Sequence, residues 1–303
     1  MNRNSKSKAG RTTHTNAGQD KQRQLDKLAK KIKRAARNEV LLDIVISNCK
    51  RTGELPSPEV ALDAHETLFH FVEAFCDYVA DRRKSQNLSF DKLIQSKRIW
   101  NFNCDPESDL TPTEFGDEFM DFSCLDRGGF SDLPLISQKI PGMLNRLYKG
   151  GNGKPRFTLH LWTDVPAFNT VHPNTGAWLE ADDARFGTYE LVQAHGLPIA
   201  HDHIEFFNPA EKVANMRKKG VLLLVDDRDA TAMKVQETGR VCFVPKHPFN
   251  GKLHDPRVVY LDSIDQLEFA VRTFFTELYR ALKEHEAITG PLRKPFFAEF
   301  PLS

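Results

Sequence analysis

Apolar positions in the first third of the chain recur at helical spacing. Leu25, Leu28, Ile32 and Ala35-Ala36, then Val40, Leu41, Ile44 and Val45, follow a period near 3.6. Helix is therefore expected over the stretch following Asp20 and again from Glu39 to Arg51. The chain breaks at Leu55-Pro56-Ser57-Pro58, where Ser57 followed by Pro58 and Glu59 resembles an N-cap with proline at the first helical position. Leu68, Phe69, Phe71, Val72, Phe75 and Val79 then predict one long helix from Pro58 to about Ser85, followed by a short one from Phe90 to Gln95.

Farther on, the pattern alternates. Strands are expected at Ile99–Asn103, Phe157–Trp162, Ile204–Phe207, 221–225, 241–244 and 257–260. Helices are expected at Ile140–Tyr148, about 177–195, 209–219, 229–238 and Ile264 to about His285. Strands separated by helices of this length imply an α/β fold, a Rossmann-like parallel sheet with helices on both faces. The segment Gly150 to Pro155 lacks the Ser/Thr and following helix of a phosphate loop and reads as a turn. The implied division is a basic, partly disordered arm (1–38), a helical region that covers or packs on the rest (39–98), an α/β domain (99–290) and a tail (291–303).

The run Val221-Leu222-Leu223-Leu224-Val225 stops abruptly on Asp226-Asp227. Five branched apolar residues indicate a strand buried on both faces, and ligand sites in such sheets gather at the carboxyl ends of strands. Adjacent carboxylates repel, so a fold that places both at a strand tip neutralises them with a cation or a lysine, and Lys212 lies one helix upstream. The alternative is structural: Asp227 or Asp229 capping the helix that follows.

Composition adjusts this picture in three ways. The total charge of +1 hides an asymmetry, because residues 1–38 hold twelve Lys or Arg against Asp20 and Asp26. Such an arm suits nucleic acid, an acidic partner or an anionic membrane surface, or is simply a solvated tail leading into a helix, and its first ~20 residues have too few apolar groups to order themselves. No stretch approaches the ~20 apolar residues of a membrane span, so no membrane insertion and a cytoplasmic address are expected. The five cysteines, Cys49, Cys76, Cys104, Cys124 and Cys242, lack C-x-x-C spacing and read as small buried residues. His201 and His203 have a spacing that a metal can use, but no third ligand accompanies them.

The order of pieces from Pro141 onward resembles the haloacid dehalogenase-like phosphohydrolase superfamily, and within it the cytosolic 5'(3')-deoxyribonucleotidase-like group. The resemblance rests on "IPGMLNRLY", then "FTLHLWTD" ending at Thr163, "NPAEKVANMRKKG" with Lys212, "VLLLVDDRDATA" and "VCFVPKHPFN". That family opens with a strand ending in Asp-x-Asp, a small residue and Thr or Val, and "IWNFNCDPESDLTPTEF" is similar, with Asp105 and Glu107 on the two acids and Asp109 departing from type.

The resemblance implies a Mg²⁺-dependent phosphatase acting on a small phosphorylated substrate, a nucleotide. Asp105 would be the nucleophile, Glu107 the acid/base, Thr163 a phosphate hydrogen-bond donor and Lys212 the charge-balancing cation, with Asp105, Glu107, Asp226 and Asp227 holding the metal. The competing expectation is a catalytically inactive protein of the same fold whose basic arm contacts nucleic acid or a protein partner. Phe168, His172 and Trp178 follow Thr163 and are placed to overhang a site, where aromatics stack on a nucleobase.

Overall fold

The computed structural model describes residues 13–83, 111–125, 129–149, 156–165, 170–171, 175–179, 183–290 and 292. Six parallel strands form the central sheet: β1 (Glu59–Leu62), β2 (Thr158–Thr163), β5 (Ile204–Phe206), β6 (Leu223–Val225), β7 (Val241–Pro245) and β8 (Val258–Leu261). Their spatial order is β5-β2-β1-β6-β7-β8. A two-stranded antiparallel ribbon, β3 (Thr170–Val171) and β4 (Trp178–Leu179), follows β2.

The sheet is an α/β layer covered on both faces, and alternate strand residues divide between the two. Val60, Leu62, Leu159, Leu161, Leu223, Val225 and Phe243 enter the larger core. There they meet α1 (Thr13–Ala36), α2 (Glu39–Thr52), α3 (Phe71–Arg83), α5 (Ile140–Tyr148) and α9 (Leu267–Thr289). Ala61, Trp162, Leu224, Cys242 and Val244 face the other way, onto Met216 of α7 (Pro209–Lys219) and Ala232 and Val235 of α8 (Asp229–Glu237). This period-2 division of runs that are apolar throughout is what two-sided burial produces.

Two expectations change here. The segment expected as one long helix from Pro58 is β1, then a tight turn, then α3. Val60, Ala61 and Leu62 are all fully buried between β2 and β6, and pairing on both sides overrides the helical preference of Ala61 and the capping signal at Ser57-Pro58. The central strand thus comes from within the region expected to be helical. The helix expected over about 177–195 begins only at Asp183, as α6 (Asp183–Ala194), because β4 occupies Trp178–Leu179. The expected strand at Ile99–Asn103, the helix at Phe90–Gln95 and the Gly150–Pro155 turn lie outside the described residues.

The basic arm is helical from Thr13, so residues 13–20 depart from the expectation of an unordered start, and Leu28, Ile32, Ala35 and Ala36 are buried against α9. Arg37 fixes the end of this packing through Glu277 at 3.1 Å and both oxygens of Glu284 at 2.7 and 2.9 Å. Phe71 and Phe75 of α3, Phe115 and Phe119 of α4 (Pro112–Met120), and Phe122 and Phe130 of the segment after it form an aromatic cluster. Arg83 ties the two helices to each other through Glu118 at 2.6 Å and Glu114 at 2.9 Å.

Candidate functional site

Strand order alone locates a crevice. From β1 the chain moves outward through β2 to β5, then returns to the far side of β1 at β6 and continues to β8. The β1/β6 boundary is therefore the topological switch point, and the carboxyl ends of those two strands are where an open parallel sheet binds ligands. Asp63 directly follows β1 and Asp226 directly follows β6. Asp63 N–H donates to Val225 O at 2.8 Å, and Asp226 N–H donates to Phe243 O at 3.1 Å, so each carboxylate hangs on the last rung of its ladder.

Lys212 closes the pair. Its Nζ donates to Asp63 Oδ1 at 2.5 Å and to Asp226 Oδ2 at 3.0 Å, with all three residues buried. The lysine lies near the start of α7, whose N-terminus is fixed by a reciprocal cap. Asn208 Oδ1 accepts from Ala210 and Glu211 N–H, Glu211 Oε2 accepts from Asn208 N–H, and Pro209 takes the first turn. Burial alone would depress the lysine, but Asp226 and Asp63 outweigh it and hold the ammonium above its ordinary range. Burial pushes the Asp63 carboxyl up to about 6 against the opposing pull of Lys212.

Asp227 completes the group. Ligand atoms of Asp63, Asp226 and Asp227 lie within 4.8 Å of one another, and among the described residues no other set of three or more His, Cys, Asp or Glu does so. Asp226 Oδ1 accepts from Arg228 N–H at 3.0 Å, whereas both oxygens of Asp227 are buried without a hydrogen-bond partner. The capping alternative therefore fails: Arg228 is the N-cap residue of α8 and makes no side-chain cap bond, and Asp229 accepts instead from Tyr260 O–H at 2.6 Å and Lys252 N–H at 3.1 Å. Burial, with the charges of Asp226 and Asp63, raises Asp227 well above the carboxylate range.

Around this core stand residues that the sequence pattern did not single out. The turn after β1 runs Asp63-Ala64-His65-Glu66-Thr67, with Leu68 and Phe69 N–H both donating to Ala64 O at 2.9 Å. Glu66 adopts φ 52, a left-handed conformation that favours a small residue, and its Oε1 accepts from Val72 N–H at 2.8 Å at the start of α3. His65 is buried between Phe71 and Phe130, with ring centroids at 5.0 and 5.1 Å, and its Nδ1 lies 3.5 Å from Thr163 Oγ1. Burial, then the charges of Lys212 and Arg228, push the imidazole down to about 3 and keep it neutral.

A single loop after β7 joins the two acidic turns. His247 Nε2–H donates to Glu66 O at 2.7 Å, while Asn250 Nδ2 donates to Asp227 O and Pro245 O, both at 2.8 Å.

Of the residues expected from sequence, the structure brings Lys212, Asp226, Asp227 and Thr163 together. Asp105 and Glu107 lie outside the described residues, as does Asp109. The carboxylate found beside Asp226 is Asp63, a residue not expected there. A signal for it exists in the same form as the one at Asp226: Val60-Ala61-Leu62 is an apolar run ending on an acid. His201 and His203 are not paired ligands, since His201 stacks on Tyr189 at 4.1 Å and His203 lies against His160 at 4.6 Å. Trp178 is exposed, and Phe168 and His172 lie outside the described residues. Cys49, Cys76 and Cys242 are buried, as expected.

No family model matches the chain, and no curated protein matches it. Among solved structures it is similar to a haloacid dehalogenase-superfamily hydrolase of Geobacter sulfurreducens, at 13% identity over 70% of this chain and 95% of that one, with a TM-score of 0.42. It is similar to a haloacid dehalogenase-like hydrolase of Xanthomonas campestris at 11% identity over 74% and 99%, TM-score 0.42. A hydrolase of the same superfamily from Deinococcus radiodurans, with bound phosphate and sodium, aligns at 13% identity over 80% and 99%, TM-score 0.38.

Proposed function

We propose that the chain is a Mg²⁺-dependent phosphomonoesterase of the haloacid dehalogenase-like type, with Asp63 as its nucleophile and a nucleotide-type phosphomonoester as substrate. The observation that carries the reading is the triad Asp63, Asp226 and Asp227 at the switch point, with Lys212 on two of the acids and both Asp227 oxygens left unpartnered. Two buried oxygens with no donor cost several kcal/mol unless a cation satisfies them. An all-carboxylate donor set suits a hard divalent ion. Asp63, Asp226 and Asp227 would hold it, and when bound it supplies positive charge against the phosphate oxygens.

The side chains divide the remaining work. Thr163 hydroxyl donates to a phosphoryl oxygen, and Lys212 balances the charge on the nucleophile and the phosphate. An Asp63 oxygen attacks phosphorus, the bond to the leaving oxygen breaks, and an acyl phosphate forms on Asp63. His65, at the position where the family pattern has its second acid, exchanges the protons. A substrate entering as the phosphate monoanion brings the proton, which the neutral ring passes on to the leaving oxygen. The neutral ring then takes a proton from the water that cleaves the acyl phosphate, releasing inorganic phosphate and restoring the carboxylate.

The test is phosphate release from p-nitrophenyl phosphate and a panel of nucleoside monophosphates, with Mg²⁺ or with EDTA. Wild type should turn over only with Mg²⁺, and Asp63→Asn should lose at least ~1,000-fold, since the nucleophile itself is removed. Mg²⁺ should raise the melting temperature of wild type and leave that of Asp227→Asn unmoved. Undiminished turnover in Asp63→Asn would sink the assignment. Absence of turnover in wild type would favour the second reading, a binding protein of this fold, which the presence of His65 where the pattern has a carboxylate supports.

A further inference from the structure

We infer that the solvent face of α1 and the loop after β7 form a track for a single-stranded nucleic acid, whose terminal phosphate is the group delivered to Asp63. The inference rests on the phosphatase reading for its chemistry, but the track stands on separate observations.

The helix is rigidly placed. Its apolar stripe is buried against α9, so it offers the surroundings only its other face, which carries Lys21, Arg23, Lys27, Lys30, Lys31 and Arg34. At 24 residues it is about 36 Å long. Lys31 and Arg34 line a cavity of about 340 Å³ together with Lys246 and His254 of the loop after β7. That same loop reaches the site from its other side, through His247 on Glu66 O and Asn250 on Asp227 O. One loop therefore borders both the helix cations and the acidic turns.

Counter-charges beside the cations are already engaged or weak. Asp255, also lining the cavity, is held by Arg257 at 3.0 Å. Asp262 meets Lys246 at 2.5 Å, but both side chains are about half exposed and such pairs are worth little. Spaced cations on a stiff rod match the regular phosphates of a strand, each contact adding to affinity. A lipid surface fits poorly, because the apolar stripe that would enter it is already buried. A strand end is compatible with the site: Asp63 is buried, and a terminal phosphate projects beyond the chain that bears it.

The experiment uses the full chain and a fluorescent, 5'-phosphorylated 12-nucleotide strand, read by anisotropy across a salt series, with 3'-phosphorylated strands and anionic vesicles in parallel. Lys31→Gln/Arg34→Gln should weaken strand binding about tenfold and lower the salt slope by about 1.4, two contacts at ~0.7 each. Hydrolysis of p-nitrophenyl phosphate should be unchanged. In wild type, kcat/KM for the strand should exceed that for a mononucleotide, and the double variant should close the gap. Unchanged affinity in the variant, tighter binding to vesicles than to the strand, or equal kcat/KM for strand and mononucleotide would overturn the track. A protein that binds the strand with this salt dependence yet hydrolyses nothing overturns the phosphatase reading alone.

Discussion

Glu66 shows how one residue registers the cost of building this site. It is fully buried, sits in a left-handed turn three positions after Asp63, and adds its charge to a region already crowded with acids. Burial raises its carboxyl from the ordinary 4.5 to about 7. A folded-state value above the unfolded one means that the native protein binds the proton more tightly. The resulting stability is fully present below about pH 4.5 and is lost as pH rises through about 7. At about 1.4 kcal/mol per tenfold difference, the loss is about 3 kcal/mol. Glu66→Gln keeps the acceptor for Val72 N–H and removes the titration. Urea unfolding of the metal-free protein at pH 4.5 and pH 8 should therefore show wild type losing about 3 kcal/mol more than the variant across that range; parallel losses would refute the account. Residue by residue, Asp226, Asp227 and Lys212 were legible because an apolar run ending on paired acids has few structural explanations. Asp63 was not, because its strand has only four residues, includes an alanine, and runs straight into Leu68, Phe69, Val72 and Phe75 at helical spacing.

At the level of elements, the sequence marked best those whose ends carry their own chemistry. α7 spans Pro209–Lys219 as expected because Asn208, Pro209 and Glu211 form a capping box and Gly220 takes a left-handed C-cap. α5 likewise begins at Ile140-Pro141. β1 has no such markers; its identity comes from β2 and β6 on either side, contacts made about 100 and 160 residues away in sequence. The β3–β4 ribbon was hidden for a different reason: each strand has only two residues, too few to show a period. Where α6 crosses the aromatic cluster, close approach decides the packing: a Cβ on Gly187 would sit 2.9 Å from Ser131 N and 3.0 Å from Phe130 Cβ. The first of these neighbours is backbone and cannot step aside. Gly187→Ala should cost about 1–3 kcal/mol in urea unfolding. Because Phe130 lies against His65, it should also lower kcat more than it raises KM.

For the whole molecule, the decisive arrangement is the closing of the N-terminal helix onto the C-terminal one. α1 packs along α9 and also lies over β8, the edge strand of the sheet. Removing residues 1–36 should uncover both the apolar side of α9 and the open backbone of β8. The truncated protein is expected to melt at least 10 °C lower and to form soluble oligomers by light scattering, since an uncovered edge recruits another strand; a monomer of native stability would contradict this role for α1. The architecture as a class was readable from alternating strands and helices, but this closure was not, because no periodicity records which distant helix a stripe will meet. It also sets a schedule for the newborn chain. Arg37 finds Glu277 and Glu284 across separations of 240 and 247 residues. At the usual pace of translation, roughly 5–20 residues per second, α1 waits on the order of 10–50 s after leaving the ribosome before its partner exists. Over that interval the lysines and arginines of its exposed face are what solvates an amphipathic helix whose apolar stripe has no cover.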